Sequence, residues 1–388
     1  MVYIVLLIFF FLGALIYDFR KTKQSGKFYF CVECFSLIVL WGLRFRVGGD
    51  SLRYEEHFSN YPDFSEIVKM GLEELFTMRF QPLWYVINGL IKSTFDSFIL
   101  FQIVDAIIVN AFIFRFIWKH CHFKFIASFL FYLCFSSYYN TEILREGFAV
   151  MVFMYSYHYI LEKKYFKYYF FCIIAFLFHI SAILCFFAPF FYSVFRSKLA
   201  ARQIFLIIVC SLVFSIMINV LAGALIEQAF INDTNAEKIE NDSSVFLNIK
   251  GMIGSFIAVI PTLIIIFVLN KTNQSNKYTN SVLGIYLLLQ VIGSNLLILN
   301  RFQNYFHIIV LALMVDTVFS NLHISRFRPI LMASLTLYVM CRCYLYIGDY
   351  SKSNYNKEAH YYDLYIPYHS IFDPEFEPVR ETIATNQF

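Results

Sequence analysis

Four groups of residues in the chain have types and spacings that can do chemistry. The first is Arg44-Phe-Arg46-Val-Gly-Gly-Asp50-Ser-Leu-Arg53-Tyr54, which brings guanidiniums, a carboxylate and a phenol into one short run. Guanidiniums bind phosphate through charge-assisted, often bidentate hydrogen bonds and stay charged at any relevant pH. Gly48-Gly49 admits a sharp turn or a close backbone approach. The run therefore reads as an anion-binding site or as an interfacial loop whose arginines meet lipid phosphates. The second group is Asn140-Thr-Glu142-Ile-Leu-Arg145-Glu146-Gly147. Glu142, Arg145 and Glu146 are spaced to share a helix face, either as part of a site or as a self-satisfied ion-pair set. His179, in Phe178-His179-Ile-Ser181, is an imidazole among aromatics: a hydrogen-bonded core residue or a general base. The fourth group, Arg301-Phe-Gln-Asn-Tyr305, offers a cation and a phenol that could equally anchor a helix at the membrane interface. No phosphate-binding loop, dinucleotide fingerprint, His-Glu-x-x-His pair or Gly-x-Ser-x-Gly elbow is present. Cys31-Val-Glu-Cys34 has metal or redox spacing but no second Cys/His pair nearby. No metal and no cofactor are expected.

The scaffold that must carry these groups follows from composition. Of 388 residues, 59% are hydrophobic, 20% aromatic and only 15% charged, with a net charge of +4. A soluble domain has roughly 25% charged residues, and the apolar residues here come in runs long enough to cross a hydrocarbon core of about 30 Å. These features exclude a soluble enzyme, a secreted disulfide scaffold, a disordered chain and a coiled coil, and the small net charge suggests no nucleic-acid partner. A β-barrel would show short alternating stretches instead of continuous runs. The reading is an all-α, polytopic transmembrane helical bundle of about 10–12 spans, re-entrant segments included.

Basic segments give the sidedness, because Lys and Arg in short loops stay in the cytoplasm. They are Arg20–Lys27, Arg115–Lys124, Lys163–Lys167, Arg196–Arg202, Lys271–Lys277 and Arg326–Arg328. With these inside, spans are expected at Val2–Tyr17, Phe28–Leu43, Ser97–Phe114, Phe125–Tyr139, Ile143–Leu161, Gln203–Ile226, Ile249–Leu269, Tyr278–Leu299, Tyr305–Phe319 and Ile330–Tyr346. Residues 1–346 then form one transmembrane domain with outer loops at 44–80 and 227–248, and 347–388 form an extracytoplasmic tail. Pro82–Ile91 is short for a span and Tyr168–Phe195 long for one. Each is a re-entrant or paired short helix, or a full crossing that puts one basic cluster outside. On this path Asp50, Arg145 and Arg301 all face outward, opposite the basic segments.

The same residues carry a resemblance. Arg46-Val-Gly-Gly-Asp50-Ser-Leu-Arg53-Tyr54, Leu144-Arg145-Glu146-Gly147-Phe148-Ala149, the Lys163-Lys164-Tyr-Phe-Lys167 spacer, Phe178-His179-Ile-Ser181-Ala182, Arg301 to Tyr305 and Tyr365-Ile-Pro367-Tyr368 follow in order. Together they resemble the EpsG family, Wzy-like membrane proteins of bacterial exopolysaccharide and capsule assembly. Glu146 departs from it, standing where the family usually has Gln. The resemblance implies a GT-C-like or Wzy-like membrane glycosyltransferase. Its reaction would join polyprenyl-diphosphate-linked oligosaccharide repeat units into exopolysaccharide, capsule or O-antigen on the periplasmic face of the inner membrane. Membrane lipid and a chain-length regulator would be its other partners. In that reaction Arg145 and Arg301 would bind the diphosphate with Arg46 or Arg53 assisting. Asp50 or His179 would be the general base, Asp50 alternatively orienting an arginine; Tyr54 and Tyr305 would position sugar or phosphate, and Glu146, beside Arg145 in the substrate site, would either weaken anion binding or supply a base. A flippase of lipid-linked oligosaccharide, an acyltransferase and a glycan ligase are the alternatives.

Overall fold

Apolar runs become helices here, and several of them are broken within the expected spans. The computed structural model describes residues 1–20, 26–227, 249–293, 301–347 and 360–386. Among these, isolated bridges at Arg44–Ser370 and Ser370–Asp373 are the nearest approach to a sheet. The outer loop expected at 227–248 and the start of the tail fall mostly outside the described residues.

The helices that matter for the site are α1 (Val2–Gly13, continued by a π-turn over Ala14–Phe19), α2 (Lys27–Gly42), α3 (Gly49–Ser59), α4 (Phe64–Lys69), α5 (Leu72–Thr77) and α6 (Pro82–Phe95). After them come α7 (Phe98–His120), α8 (Lys124–Cys134), α9 (Ser136–Thr141), α10 (Leu144–Ser156), α11 (His158–Leu161), α12 (Tyr165–Phe178) and α13 (Ala188–Phe195). The chain ends with α14 (Ala201–Glu227), α15 (Ile249–Lys271), α16 (Lys277–Gly293), α17 (Asn304–Asn321), α18 (Arg328–Ile347) and α19 (Pro378–Asn386). Among the described residues, three stretches are long and apolar enough to cross a membrane: Val2–Phe19, Phe98–His120 and Arg301–Asn321. Shorter apolar helices fill several other expected spans. Phe125–Tyr139 is divided at Phe135, where the backbone leaves helical geometry (φ −137°, ψ −21°). Ile143–Leu161 is interrupted at Tyr157. The long stretch Tyr168–Phe195 resolves into α12, a 3₁₀ segment over Ile180–Phe187, and α13.

The chain divides into two compact units, one of residues 1–156, 166–182 and 339–388, the other of residues 157–165 and 183–338. In the first, α2 packs along α7 and α1 along α8. Asp18 Oδ2 accepts a hydrogen bond from the Ile126 amide (2.8 Å), so a side chain of α1 satisfies an amide in the first turn of α8. Glu33 is fully buried and accepts from Ser128 Oγ at 2.7 Å.

Helices α3 to α6 form a separate layer of this unit. Asp63 and Glu66 close a reciprocal capping box at the start of α4. Pro82 occupies the first turn of α6, where a missing N–H costs nothing. Lys92 Nζ donates to the carbonyls of Ser59 (2.7 Å) and Tyr61 (2.6 Å), and the Phe64 amide donates to Ser93 Oγ (2.7 Å). Tyr85, near the other end of α6, packs edge-on against Tyr61. The short apolar run Pro82–Ile91 is thus held against the 59–64 connection rather than standing alone. An aromatic cluster of Tyr54, Phe58, Tyr61, Trp84, Tyr85, Phe101 and Phe148, with Ile67, Leu75 and Leu144, joins this layer to α7 and α10.

The tail packs on the first unit by main-chain bonding. The Phe45 amide donates to His369 O (2.9 Å), Ile371 N to Leu43 O (3.0 Å) and Gly48 N to Leu364 O (2.8 Å). Gly48 has φ +99°, and a Cβ there would strike Thr141, which accounts for glycine at this close approach. In the second unit α16 is the central, almost wholly buried helix. Its Gln290 Oε1 accepts from Thr262 Oγ1 (2.8 Å) beside Pro261 of α15.

Candidate active site

Helical spacing on α3 and α10 builds the site. Tyr54 and Phe58, four apart, turn into the aromatic cluster, and so do Leu144 and Phe148 of α10. The neighbouring stripe of α3, Asp50, Arg53 and His57, and the neighbouring position of α10, Arg145, are then left half-exposed at the rim. Arg145 Nε donates to Tyr54 Oη at 3.0 Å, and Nη1 lies 3.5 Å from Gln81 Oε1. The guanidinium stands 4.0 Å above the Phe80 ring centroid and 5.8 Å from that of Tyr54, a stacked cation–π arrangement. None of the ion pairs among the described residues includes Arg145. Glu142 is turned away to accept from Gly49 N (3.0 Å) and Tyr365 Oη (2.6 Å), and Glu146 is buried at 2% exposure. The self-satisfied ion-pair set that the spacing allowed is not what forms.

His57 and Arg79 complete the rim. Arg79 Nη1 lies 3.4 Å from His57 Nε2, and Phe80 meets the imidazole edge-on. Burial lowers the His57 pKa, the charge of Arg79 lowers it further, and Arg53 and Arg145 act in the same direction against Glu56. The result is an imidazole held neutral inside a group of guanidiniums. Asp50, in the first turn of α3, has its Oδ1 3.9 Å from Arg53 Nη1. His57, Arg79 and Gln81 were not singled out from sequence. The available signal was His57 at seven residues from Asp50 and four from Arg53, once α3 is read as a helix.

The other expected site residues have their own surroundings. Arg46 donates from Nε and Nη2 to the two carboxylate oxygens of Glu381 (2.6 and 2.5 Å) and from Nη1 to Glu55 (2.7 Å). The hydrogen bonds to Glu381 hold its pKa above the ordinary arginine value, and Glu55 adds to this. Arg44 is fully buried, with Nη1 donating to the Trp41 carbonyl. Asp105 is also fully buried. His179 is buried at the break between α12 and the 3₁₀ segment, where Nδ1 accepts from the Ser181 amide (3.2 Å) and meets Ser181 Oγ at 2.7 Å. Its Nδ1 lone pair therefore caps the chain break. Arg301 and Tyr305 belong to the second unit. Arg301 is exposed at the start of a 3₁₀ turn, and Tyr305 is buried at 1% exposure.

Searches of the curated proteins and of the solved structures return no significant match. The sequence profile of the EpsG family matches residues 27–370, from the start of α2 to the tail contact of His369 with Phe45. The chain belongs to the EpsG family, Wzy-like membrane proteins of polysaccharide assembly.

Proposed function

We propose that this protein is a membrane glycosyltransferase that joins polyprenyl-diphosphate-linked oligosaccharide repeat units on the periplasmic face of the inner membrane. The observation that carries the proposal is Arg145, a half-exposed guanidinium held by a phenol, a ring face and an amide, with no carboxylate on it. A cation positioned without a counter-anion is poised for an anionic ligand. Arg53 and Arg79 add charge beside it, and such preorganised charge stabilises a leaving diphosphate as it forms. The acceptor hydroxyl oxygen bonds to the anomeric carbon as the bond from that carbon to the diphosphate oxygen breaks. The hydroxyl proton passes to a base on the α3 stripe, Asp50 or His57, and polyprenyl diphosphate departs against the guanidiniums. Tyr54 orients Arg145. His179, with Nδ1 engaged at the chain break, serves to position α12. The path of the helices supports the outward assignment: α3 to α6 and the start of α7 pack together, and the far end of α7 leads to the basic segment ending at Lys124.

The test is glycan analysis in a strain lacking this chain, complemented with Arg145→Ala. A polymerase predicts surface glycan of single repeat units and no ladder. Donor trapped inside with no surface units would instead indicate a flippase, and a normal ladder would remove Arg145 from the chemistry.

A further inference from the structure

The geometry points to a divalent transition-metal site in the tail, formed by His369, Glu375 and Glu377. One ligand atom from each of these residues lies within 4.8 Å of the others. Two prolines shape the segment: Glu377 precedes Pro378 and Asp373 precedes Pro374, and a residue before proline is driven to an extended conformation. Along extended chain, positions two apart point to the same side. Phe376 turns to Phe45 (ring centroids 5.4 Å apart) and to Arg46, which directs Glu375 and Glu377 to the side of His369. The imidazole is itself anchored, because the His369 carbonyl accepts from the Phe45 amide at 2.9 Å.

The case for a cation is a matter of donors and acceptors. His369 is 7% exposed, its Nε2 lies 2.8 Å from Glu377 Oε1, and its Nδ1 is 3.9 Å from Glu375 Oε2 with no hydrogen-bond partner. A neutral imidazole has one N–H and one lone pair. If Nε2 donates to Glu377, the buried Nδ1 lone pair faces a carboxylate; if Nδ1 carries the proton, the lone pair of Nε2 meets Glu377 at hydrogen-bond distance. The first tautomer leaves a buried lone pair without a donor, and the second sets an acceptor against an acceptor. A metal ion on the ring removes the conflict, and an imidazole with two carboxylates suits Mn²⁺, Fe²⁺ or Zn²⁺ with water completing the shell. Arg380, whose charge reaches Glu377, does not serve instead, since it is engaged by the carbonyls of Asp363, Arg46 and Pro367. Bound metal would fasten the tail to the Leu43–Phe45 edge. This role is structural and separate from the transfer chemistry.

The probe is Mn²⁺ added to the full chain purified in detergent at pH 8 after chelator treatment, read by electron paramagnetic resonance. One Mn²⁺ per chain is expected, with spin-echo modulation from a single directly bound nitrogen that disappears in His369→Ala. Should that variant fold poorly, Glu375→Gln alters an exposed side chain and should weaken binding at least about tenfold. Absence of bound Mn²⁺, binding without nitrogen coupling, or binding unchanged in the variants would overturn the site.

Discussion

Arg46 and Arg145 are both arginines near helix ends, each in a motif that reads as anion-binding, yet their surroundings are opposite. Arg46 is closed on every nitrogen by Glu55 and Glu381, so it clasps the tail to the α3 layer and has little left for a ligand. Arg145 is closed by neutral groups, a phenol, a ring and an amide. Its position is as well determined, but its charge is not cancelled. The comparison teaches that the groups packed around an arginine, more than its motif, decide whether its charge is cancelled. A guanidinium neutralised by two carboxylates costs little to keep. One with no carboxylate on it is held instead by Tyr54, Phe80 and Gln81.

The widest separation between the two arginines should appear on removing each in turn. Arg145→Ala should abolish chain growth, at least about 10²-fold in rate as for loss of a preorganised charge, while membrane level and unfolding temperature stay near wild type. Arg145→Lys should recover little, because a lysine cannot reproduce the stacked fork. In an in vitro assay of repeat-unit joining, His57→Gln should cost roughly 10²-fold or more if His57 is the base. With its pKa lowered by burial and Arg79, the imidazole stays neutral below its ordinary pKa of about 6.5. The acid limb of the rate should therefore lie below that pH, and Arg79→Ala should move it upward by easing protonation. An acid limb that survives His57→Gln would assign the proton to Asp50.

Arg46→Ala should act on stability instead. It leaves Glu55 and Glu381 facing each other half-buried, a loss of about 1–3 kcal/mol, moderated by solvent at this partly exposed site. The readout is faster proteolysis of the tail with glycan length unchanged. An effect on glycan length at normal abundance would erase the contrast with Arg145. Tyr54→Phe is the mildest test. It removes the acceptor for Arg145 Nε, about 1 kcal/mol, and should lower the joining rate by less than tenfold without changing stability.

Much of this architecture was legible beforehand for local reasons. The apolar runs became helices near their expected ends, and Gly48-Gly49 did mark a close approach, made to Thr141 and Glu142. Tyr54 and Arg145 meet because α3 and α10 share one aromatic cluster, and Asp50 stands 3.9 Å from Arg53 on α3. Less legible were the breaks at Phe135 and Tyr157, where nothing in the local composition announces an interruption. His57 was overlooked since its value comes from Arg79, twenty-two residues on and in no common motif. The bond that His179 makes to Ser181 at the chain break cannot be seen from residue type alone.

Run length and the scarcity of charge determined by themselves that this is a helical membrane protein, since hydrophobic period and span length are properties of contiguous residues. Motif order likewise placed it in its family. Which arginine is cancelled and which is left charged was decided only by the tertiary structure. Glu381 stands 335 positions from Arg46, and no local pattern records that the tail returns to neutralise it. Electrostatics at a site is a sum over neighbours in space, and only folding chooses those neighbours.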